Sequence, residues 1–360
     1  MDGTGDMGGM MGGASPAPAH NHASHDKYHN SVERLPDGSY RYTHGAYLGH
    51  MVPGCFFLAW GAWWALTLYA RYVRCLASKR PFRTQAWARL PFGPPRLRSM
   101  PLEPFIKVLL PLMGVLGELW LGHDSYRTLY QANGQFVTDN LNDWQHSTMY
   151  TCFIASGVVD LLAHFCGAPA GTELAFLCLA FLGEGLLLVF HLKGPSVEIL
   201  VHLILGLQVF ATVLAILAEL ARPASILAAS LRPWLTMLQG AWWIQTAYIM
   251  YTGAPQWDPD LMASSMFVPV PFVIITVGIA FAMLCTLLIF KAIAEWRLGR
   301  PLSFDGSSGA AGHAHTRLPS DDSAAEGYMG AAYGSNGAGG DLEMSGLVLK
   351  TYAADDDRHA

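Results

Sequence analysis

WQHSTMYTCFIASGVVDLLAHFCG (Trp144–Gly167) and ELAFLCLAFLGEGLLLVFH (Glu173–His191) are two consecutive apolar runs that decide the fold of this chain. A third apolar run begins at Val197, after another short turn. Runs of about 20 apolar residues have the length that an α-helix needs to cross the hydrocarbon core of a bilayer. Because the connecting turns are short, the three helices are predicted to pack as antiparallel neighbours.

The composition of the whole chain supports a membrane protein. Of the 360 residues, 52% are hydrophobic and 14% are charged, whereas soluble domains carry about 25% charged residues. The six cysteines lie in or beside apolar runs and suggest no disulfide framework. No phosphate loop or dinucleotide fingerprint is present. We therefore expect contact with membrane lipid and no nucleic-acid partner.

The distribution of basic residues predicts seven transmembrane helices with the N-terminus outside, on the luminal side. The segment 71–103 carries eight basic residues and one acid, Glu103, which marks a cytoplasmic loop by the positive-inside rule. With seven spans, every other basic cluster falls on the same side of the membrane. The predicted spans are Tyr47–Ala70, Pro104–His123, Trp144–Gly167, Glu173–His191, Val197–Leu220, Trp234–Tyr251 and Met266–Phe290.

The predicted membrane domain, residues 47–291, lies between two polar segments of low complexity. Residues 1–46 are rich in Gly, Met and His and are predicted to be a disordered luminal arm. Thioether and imidazole groups together suit copper, and imidazole alone suits zinc, although a biased linker has the same composition. Residues 292–360 are rich in Gly, Ala and Ser and are predicted to be a disordered cytoplasmic tail.

Ionisable side chains recur inside the predicted spans, where they are costly and are therefore functional candidates. Positions 18 residues apart return to the same face of a helix after five turns. His146 and His164 have this separation, and Ser156 and Asp160 lie on the same face. The third span is thus predicted to carry a polar stripe that faces protein or water, with its two histidines near opposite membrane faces.

The outer half of the predicted bundle collects imidazole and carboxylate groups, a ligand set that suits zinc or a similar divalent ion. The candidate metal ligands are His50, His146, Glu184, His191 and His202, and the other members of the polar network are Glu118, Ser156, Asp160 and His164. Three interpretations remain open at this point. The groups form hydrogen bonds that hold the helices together, they bind a metal for catalysis or transport, or they relay or sense protons.

Several segments in the order of the chain carry a resemblance to a known family. They are GHMVPGCFFLAWGAWW (Gly49–Trp64), HSTMYTCFIASGVVDLLAH (His146–His164), EGLLLVFHLKG (Glu184–Gly194), VHLIL (Val201–Leu205), LQGAWWIQ (Leu238–Gln245) and QWD (Gln256–Asp258). Together they resemble the transmembrane protein 45 family across all seven predicted spans. The resemblance implies a seven-pass protein of Golgi, endosome and lysosome membranes, linked to trafficking or innate defence in some members, with no established enzymatic activity.

The resemblance carries over the intramembrane polar residues without assigning them a role: His50, His146, Asp160, His164, Glu184, His191 and His202. Lys193 stands where the family often has a second histidine, which weakens a metal site that needs that ligand. We therefore expect a non-enzymatic multi-pass protein of the Golgi, endosome, lysosome or plasma membrane. The alternative is a metal-dependent membrane enzyme, or a metal or proton transporter, that uses the outer histidines with zinc or copper.

Overall fold

The computed structural model describes residues 32–36, 38, 40–43, 45–90, 93–121, 127–252 and 256–304. Within this part of the chain the structure is almost entirely α-helical. A short hairpin pairs β1 (Val32–Arg34) with β2 (Tyr40–Tyr42). The helices are α1 (Tyr47–Ser78), α2 (Pro95–Ser99), α3 (Leu102–Leu116), α4 (Leu141–Cys166), α5 (Thr172–Val189), α6 (Ser196–Ala221), α7 (Ile226–Tyr251), α8 (Met262–Phe267) and α9 (Pro269–Leu298).

Six helices of the described chain are long and apolar enough to cross a membrane, which confirms an all-α polytopic membrane fold. They are α1, α3 with its π-helical continuation to Leu121, α4, α5, α6, and α8 together with α9. The helix α7 is not among these six, and the count of seven stays a prediction. The helix α7 has 26 residues and a length of about 39 Å, so it is long enough to cross a membrane. However, several of its buried positions are polar, including Arg232, Thr236 and Gln239.

The helices form a ring in which consecutive helices pack on each other from α3 to α7. The helix α7 also packs extensively on α1, and α9 lies outside the ring against α1 and α7. Glycines permit the close approach of α1 and α7. A Cβ atom added to Gly240 would lie 2.6 Å from Gly54 O and 2.8 Å from Leu58 Cα. This is the close backbone packing that small residues allow between membrane helices.

The outer end of the bundle, where α1 begins, carries the β-hairpin. The Tyr42 hydroxyl donates to Trp257 O at 3.3 Å, and the Tyr40 hydroxyl donates to Asp258 Oδ2 at 3.2 Å. The hairpin lies inside the segment for which the sequence predicts disorder. Packing of the buried Tyr42 ring against a distant part of the chain orders this piece. The remainder of the Met/His arm, His44, His123 and residues 305–360 lie outside the described residues.

The opposite, inner end is closed by residues 82–88, which we call the inner cap. Arg232 donates through Nη2 to Gln85 O and through Nη1 to Ala86 O, at 3.0 and 3.2 Å. Trp87 Nε1 donates to Glu173 Oε1 at 2.9 Å. The predicted span Trp234–Tyr251 leaves Arg232 outside the membrane helix. The side chain is instead buried, because α7 begins at Ile226 rather than at Trp234 and carries the guanidinium group inside the bundle.

Candidate ligand-binding cavity

A cavity of about 840 Å³ lies inside the ring of helices. Its wall is formed by residues of α1, α3, α4, α5, α6 and α7, and is mostly apolar and aromatic. It extends from Gly45 and Glu118 at the outer end to Trp64 and Lys107 further in. Ligand pockets in proteins commonly measure about 300–1,000 Å³ and combine an apolar wall with a few polar groups. The cavity therefore has the size and character of a small-molecule site.

The cavity opens sideways between α1 and α3. Near the inner end these two helices are joined, because Trp63 Nε1 and Trp64 Nε1 donate to the Glu103 carboxylate at 2.8 and 2.6 Å. Further out, Val52 of α1 and Met113 of α3 both line the cavity, and each is 65% exposed. A surface between membrane helices faces lipid, so the opening connects the cavity with the hydrocarbon of the bilayer.

Four histidines form a continuous line along the outer part of the cavity wall. The ring centroids of His146 and His191 are 5.5 Å apart, those of His191 and His202 are 6.0 Å apart, and those of His202 and His50 are 5.7 Å apart. Glu118 extends the line, with its Oε1 3.3 Å from His146 Nδ1. Helices far apart in sequence thus bring four of the five predicted metal ligands into neighbouring positions.

Hydrogen bonds to the backbone define the tautomer of two of these rings. His50 Nδ1 lies 3.2 Å from Ala46 O, and His202 Nδ1 lies 2.8 Å from Glu198 O. A carbonyl oxygen only accepts, so Nδ1 carries the hydrogen in both rings and Nε2 of the neutral ring is an acceptor. His50 Nε2 is buried and has no hydrogen-bond partner within the described chain. His50 therefore keeps one buried acceptor that no described side chain satisfies.

The fifth predicted ligand, Glu184, lines the same cavity from α5. Gln239 Nε2 of α7 donates to Glu184 Oε1 at 2.7 Å. Glu184 Oε2 is buried and has no hydrogen-bond partner in the described chain. The sequence reasoning missed Gln239, although an amide in the middle of an apolar helix is a recognisable signal. The pair joins α5 to α7 and leaves one carboxylate oxygen unpaired.

The predicted polar stripe of the third span divides among three environments. His146 belongs to the outer line of histidines, whereas His164 contacts Trp87 of the inner cap, with ring centroids 5.7 Å apart. Ser156 and Asp160 are both 0% exposed, and Lys107 Nζ donates to Asp160 Oδ2 at 2.8 Å. Lys107 was missed by the sequence reasoning, although a lysine in an apolar run meets the same criterion as the histidines.

Metal coordination by the outer histidines requires three or more ligands to converge on one point. Among the described residues, no group of three or more His, Cys, Asp or Glu side chains is arranged to hold a metal ion. The histidines form a line rather than a cluster, with neighbouring ring centroids 5.5–6.0 Å apart. The described geometry therefore fits hydrogen bonding along the cavity wall, and a metal would require the side chains to turn towards one another.

Two ionisable groups in the turn between α5 and α6 have depressed pKa values. Burial, the larger cause, and the positive charge of the neighbouring His146, Lys193, His202 and His50 together lower the pKa of His191 to about 3. Burial also lowers the pKa of Lys193, against the attraction of Glu198 and Asp143. The His191 ring donates from Nδ1 to Gln145 Oε1 at 2.7 Å. His191 is therefore neutral at neutral and at mildly acidic pH.

This depression predicts that His191 contributes a loss of stability on acidification. An unfolded histidine takes up a proton near pH 6.5, whereas folded His191 does so near pH 3. Between these values the unfolded state binds more protons, so stability falls as the pH falls. Between pH 7.5 and 5.5 we expect the melting temperature of detergent-purified His191→Asn to rise by about 2–4 °C relative to that of the unmodified protein.

The matched control is His164→Asn, because His164 lies beside the inner cap and not in the outer line of histidines. This variant is expected to keep the pH dependence of the unmodified protein. An identical change in melting temperature for His191→Asn and the unmodified protein would show that His191 does not contribute to the pH dependence of stability.

The fold and the cavity together define an all-α, polytopic membrane protein with a laterally open, ligand-sized site. Comparison with known proteins agrees with this class. Residues 170–288 match the family described as "Family of unknown function (DUF716)". A segment of this chain is 32% identical over 132 residues to transmembrane epididymal protein 1 of Homo sapiens. The match covers 35% of this chain and 48% of the human protein.

A longer match relates the chain to transmembrane epididymal protein 1A of Mus musculus. The two are 27% identical over 247 residues, which cover 62% of this chain and 74% of the mouse protein. The matched segment spans about half the length of the human relative and more of the mouse relative. These similarities support the conclusion that this chain is a multi-pass membrane protein.

Proposed function

We propose that this protein is a non-enzymatic membrane protein that binds an amphiphilic molecule in the cavity between α1 and α3. The observation that carries the proposal is the lateral opening of a mostly apolar cavity whose outer wall is polar. An amphiphile can enter such a site from the bilayer without leaving hydrocarbon. Its apolar chain then lies against residues such as Phe56 and Leu110, and its polar group lies near the line of histidines.

The closed inner end of the bundle favours entry of the ligand from the bilayer or from the outer side. The inner cap and the ion pairs around it close the bundle beyond Trp64, through the bonds of Arg232 and Glu103. The outer part of the seam between α1 and α3 has no comparable set of polar links among the described residues. Binding from the bilayer or from the outer side is therefore the geometry that the site favours.

Obstructing the lateral opening is predicted to weaken binding. In Val52→Trp, the indole ring replaces a side chain that lines the cavity and is 65% exposed at the seam. Overpacking costs of about 1–3 kcal/mol predict a loss of lipid affinity of about tenfold or more. The measurement is native mass spectrometry of the protein in nanodiscs, with quantification of the lipid that remains bound.

Val277→Trp is the matched control, because Val277 lies on α9, is 63% exposed and does not line the cavity. This variant should retain the bound lipid at the level of the unmodified protein. Equal lipid occupancy in Val52→Trp and Val277→Trp would contradict binding through this opening, provided that both variants keep the melting temperature of the unmodified protein.

The compartment and the partners follow from the family resemblance and form part of the same proposal. The motifs from Gly49 to Asp258 resemble those of the transmembrane protein 45 family, which implies Golgi, endosome and lysosome membranes and a role in trafficking with protein partners. Imaging of the tagged full-length chain against markers of these compartments tests the localisation. A signal confined to the endoplasmic reticulum would contradict it.

Metal binding by the outer histidines is a second candidate function. The observation in its favour is the bonding of His50 and His202, whose Nδ1 atoms donate to backbone carbonyls and leave Nε2 as the lone-pair nitrogen. Metal-ligating histidines are held in this way. Element analysis of the protein purified without chelators tests it, in comparison with His191→Ala/His202→Ala and with a chain lacking residues 1–46. Zinc or copper near one equivalent, lost in the double variant, would support the metal site.

A further inference from the structure

The surface at the inner end of the bundle is strongly basic. Its exposed basic residues are Arg74, Lys79, Arg80, Arg83, Arg89, Arg96, Arg98, Arg222, Arg297 and Arg300. None of them lines the cavity, so the role of this surface goes beyond the proposed binding of an amphiphile and does not depend on it.

The acidic side chains in the inner half of the described bundle are bonded internally, and none of them is exposed. They are Glu103, Asp160, Glu173, Glu219 and Glu295, which accept hydrogen bonds from Trp63 and Trp64, Lys107, Trp87, Arg232 and Lys291, respectively. The exposed basic groups are therefore not neutralised by carboxylates of the described chain, and the surface attracts anions.

Folding brings basic residues from the ends of α1 and α9 together. Arg300 Nη2 donates to Ala77 O, 223 positions away in the chain, at 2.7 Å, which places the guanidinium group on the last turn of α1. Lys79 is the C-cap residue of α1. Arg80 follows it, with its backbone N–H donating to Cys75 O at 2.9 Å. We call Lys79, Arg80 and Arg300 the basic junction.

The segment that carries Arg300 is held in place by packing. Leu302 is buried, and its backbone N–H donates to Glu295 Oε1 of α9 at 2.7 Å. The Phe304 ring stacks on Tyr72 of α1, with ring centroids 6.4 Å apart. The guanidinium group is therefore positioned at the end of α1 by the fold itself, without a partner.

The basic junction keeps hydrogen-bond donors for a partner. Arg300 has five N–H groups, of which one is donated to Ala77 O. The side chains of Lys79 and Arg80 make no hydrogen bond or ion pair with any part of the chain that the structure describes. Guanidinium and ammonium groups only donate, and phosphate oxygens accept their hydrogen bonds strongly. A phosphate group therefore matches both the charge and the donors of the junction.

The basic junction lies at the level of the membrane interface. Trp296, four residues before Arg300, is 81% exposed, and tryptophan is enriched at membrane–water interfaces. Ile289 and Ile293 precede it on α9 and are also exposed, as expected for residues that face lipid. Phospholipid headgroups occupy the interface, so a phospholipid phosphate is the anion that this position favours.

We infer that the basic junction binds the phosphate-bearing headgroup of an anionic phospholipid, whose acyl chains lie along the exposed apolar face of α9. Three cations from two segments can engage more than one phosphate group. Affinity is therefore expected to rise with the charge of the headgroup, from phosphatidylcholine through phosphatidylserine to phosphatidylinositol bisphosphate.

The test is native mass spectrometry of the detergent-purified full-length chain with these three phospholipids, all carrying the same acyl chains. Phosphatidylinositol bisphosphate is expected to bind at least about tenfold more tightly than phosphatidylcholine, because basic residues near an anionic lipid surface each contribute about fivefold in affinity. Equal binding of the three lipids overturns the inference. This comparison uses the unmodified protein and does not depend on the folding of a variant.

A variant assigns the preference to the basic junction. Lys79→Gln/Arg80→Gln/Arg300→Gln is expected to weaken the binding of phosphatidylinositol bisphosphate about 100-fold and to leave that of phosphatidylcholine unchanged. Because Arg300 also bonds the end of α1, Lys79→Gln/Arg80→Gln serves as a second variant that keeps this bond. It is expected to weaken binding about 25-fold, and unchanged binding in it overturns the assignment.

The matched control removes three positive charges elsewhere on the same end of the bundle. It is Arg89→Gln/Arg96→Gln/Arg98→Gln, which changes exposed residues in and before the short helix α2. This helix leads into α3 and not into α9. The control is expected to weaken binding less than tenfold. An equal loss in both triple variants would show that net charge alone governs binding, and would overturn the site at the junction.

Two soluble anions distinguish a membrane lipid from other anionic partners. Inositol trisphosphate presents a phosphorylated headgroup without acyl chains, and a polyglutamate peptide presents carboxylates. Each is expected to compete with phosphatidylinositol bisphosphate at least about tenfold more weakly than the unlabelled lipid does, because neither gains the contact with α9. Competition as strong as that of the lipid, by either anion, overturns the phospholipid as the partner.

Discussion

Arg232→Ala is expected to destabilise the protein by about 3–5 kcal/mol, because it leaves a buried carboxylate without its positively charged partner. Arg232 Nε donates to Glu219 Oε2 at 2.8 Å, and Nη2 donates to Glu219 Oε1 at 3.1 Å. Glu219 is 0% exposed. The guanidinium group also lies 4.3 Å from the centroid of the Trp64 ring and bonds the backbone of the inner cap. One substitution therefore removes a contact that joins α6, α7, α1 and the inner cap.

The measurement is the thermal unfolding of the purified protein in detergent, with limited proteolysis of residues 79–94 as a local probe. Arg222→Ala serves as the control, because Arg222 lies at the same end of the bundle and is exposed. Replacing both partners, as in Arg232→Met/Glu219→Leu, is expected to recover part of the loss, since no charge is then buried alone. A melting temperature of Arg232→Ala equal to that of Arg222→Ala would contradict the role assigned to the pair.

Gly240→Leu is expected to cost about 3 kcal/mol or more, because a side chain at this position overlaps the backbone of α1. A Cβ atom there would approach Gly54 O to 2.6 Å and Leu58 Cα to 2.8 Å. Backbone atoms cannot rotate away as a flexible side chain does, so α1 and α7 must separate. Since α1 forms one edge of the lateral opening, their separation also changes the shape of the cavity.

Gly278→Leu is the matched control, because Gly278 lies in the membrane helix α9 and faces open space. Within the described chain, no atom of another helix lies within 4 Å of the position that a Cβ atom would take there. Both variants are compared by thermal unfolding and by size-exclusion profile in the same detergent. We expect Gly278→Leu to match the unmodified protein. Equal stability of Gly240→Leu and Gly278→Leu would show that α1 and α7 tolerate separation.

These two sites are linked by their position on α7, which packs against α1, α6 and α9. Gly240 sets its distance from α1, and Arg232 ties it to α6 and to the inner cap. Between them, Gln239 reaches Glu184 on α5. The polar and small residues that lower the hydropathy of α7 are thus the residues that position the neighbouring helices around the cavity.

The sequence alone determines the class of protein and the approximate boundaries of several membrane helices. Apolar runs longer than a bilayer core and the shortage of charge predict membrane helices, because hydrocarbon excludes polar side chains whatever the packing. The predicted segments Trp144–Gly167, Glu173–His191 and Val197–Leu220 agree closely with α4, α5 and α6. The same exclusion identifies His50, His202 and their partners as residues that must face protein.

The tertiary structure decided which of these polar groups meet and what they leave unpaired. Periodicity assigns a residue to a face of its own helix but does not say which helix packs there, so Asp160 could not be matched with Lys107, nor Glu219 with Arg232. The line of histidines is built from α1, α4, α6 and the turn after α5, and the lateral opening exists because α3 packs on α4 while α1 packs on α7. Contacts between helices distant in sequence depend on side-chain packing in three dimensions, which no local pattern records.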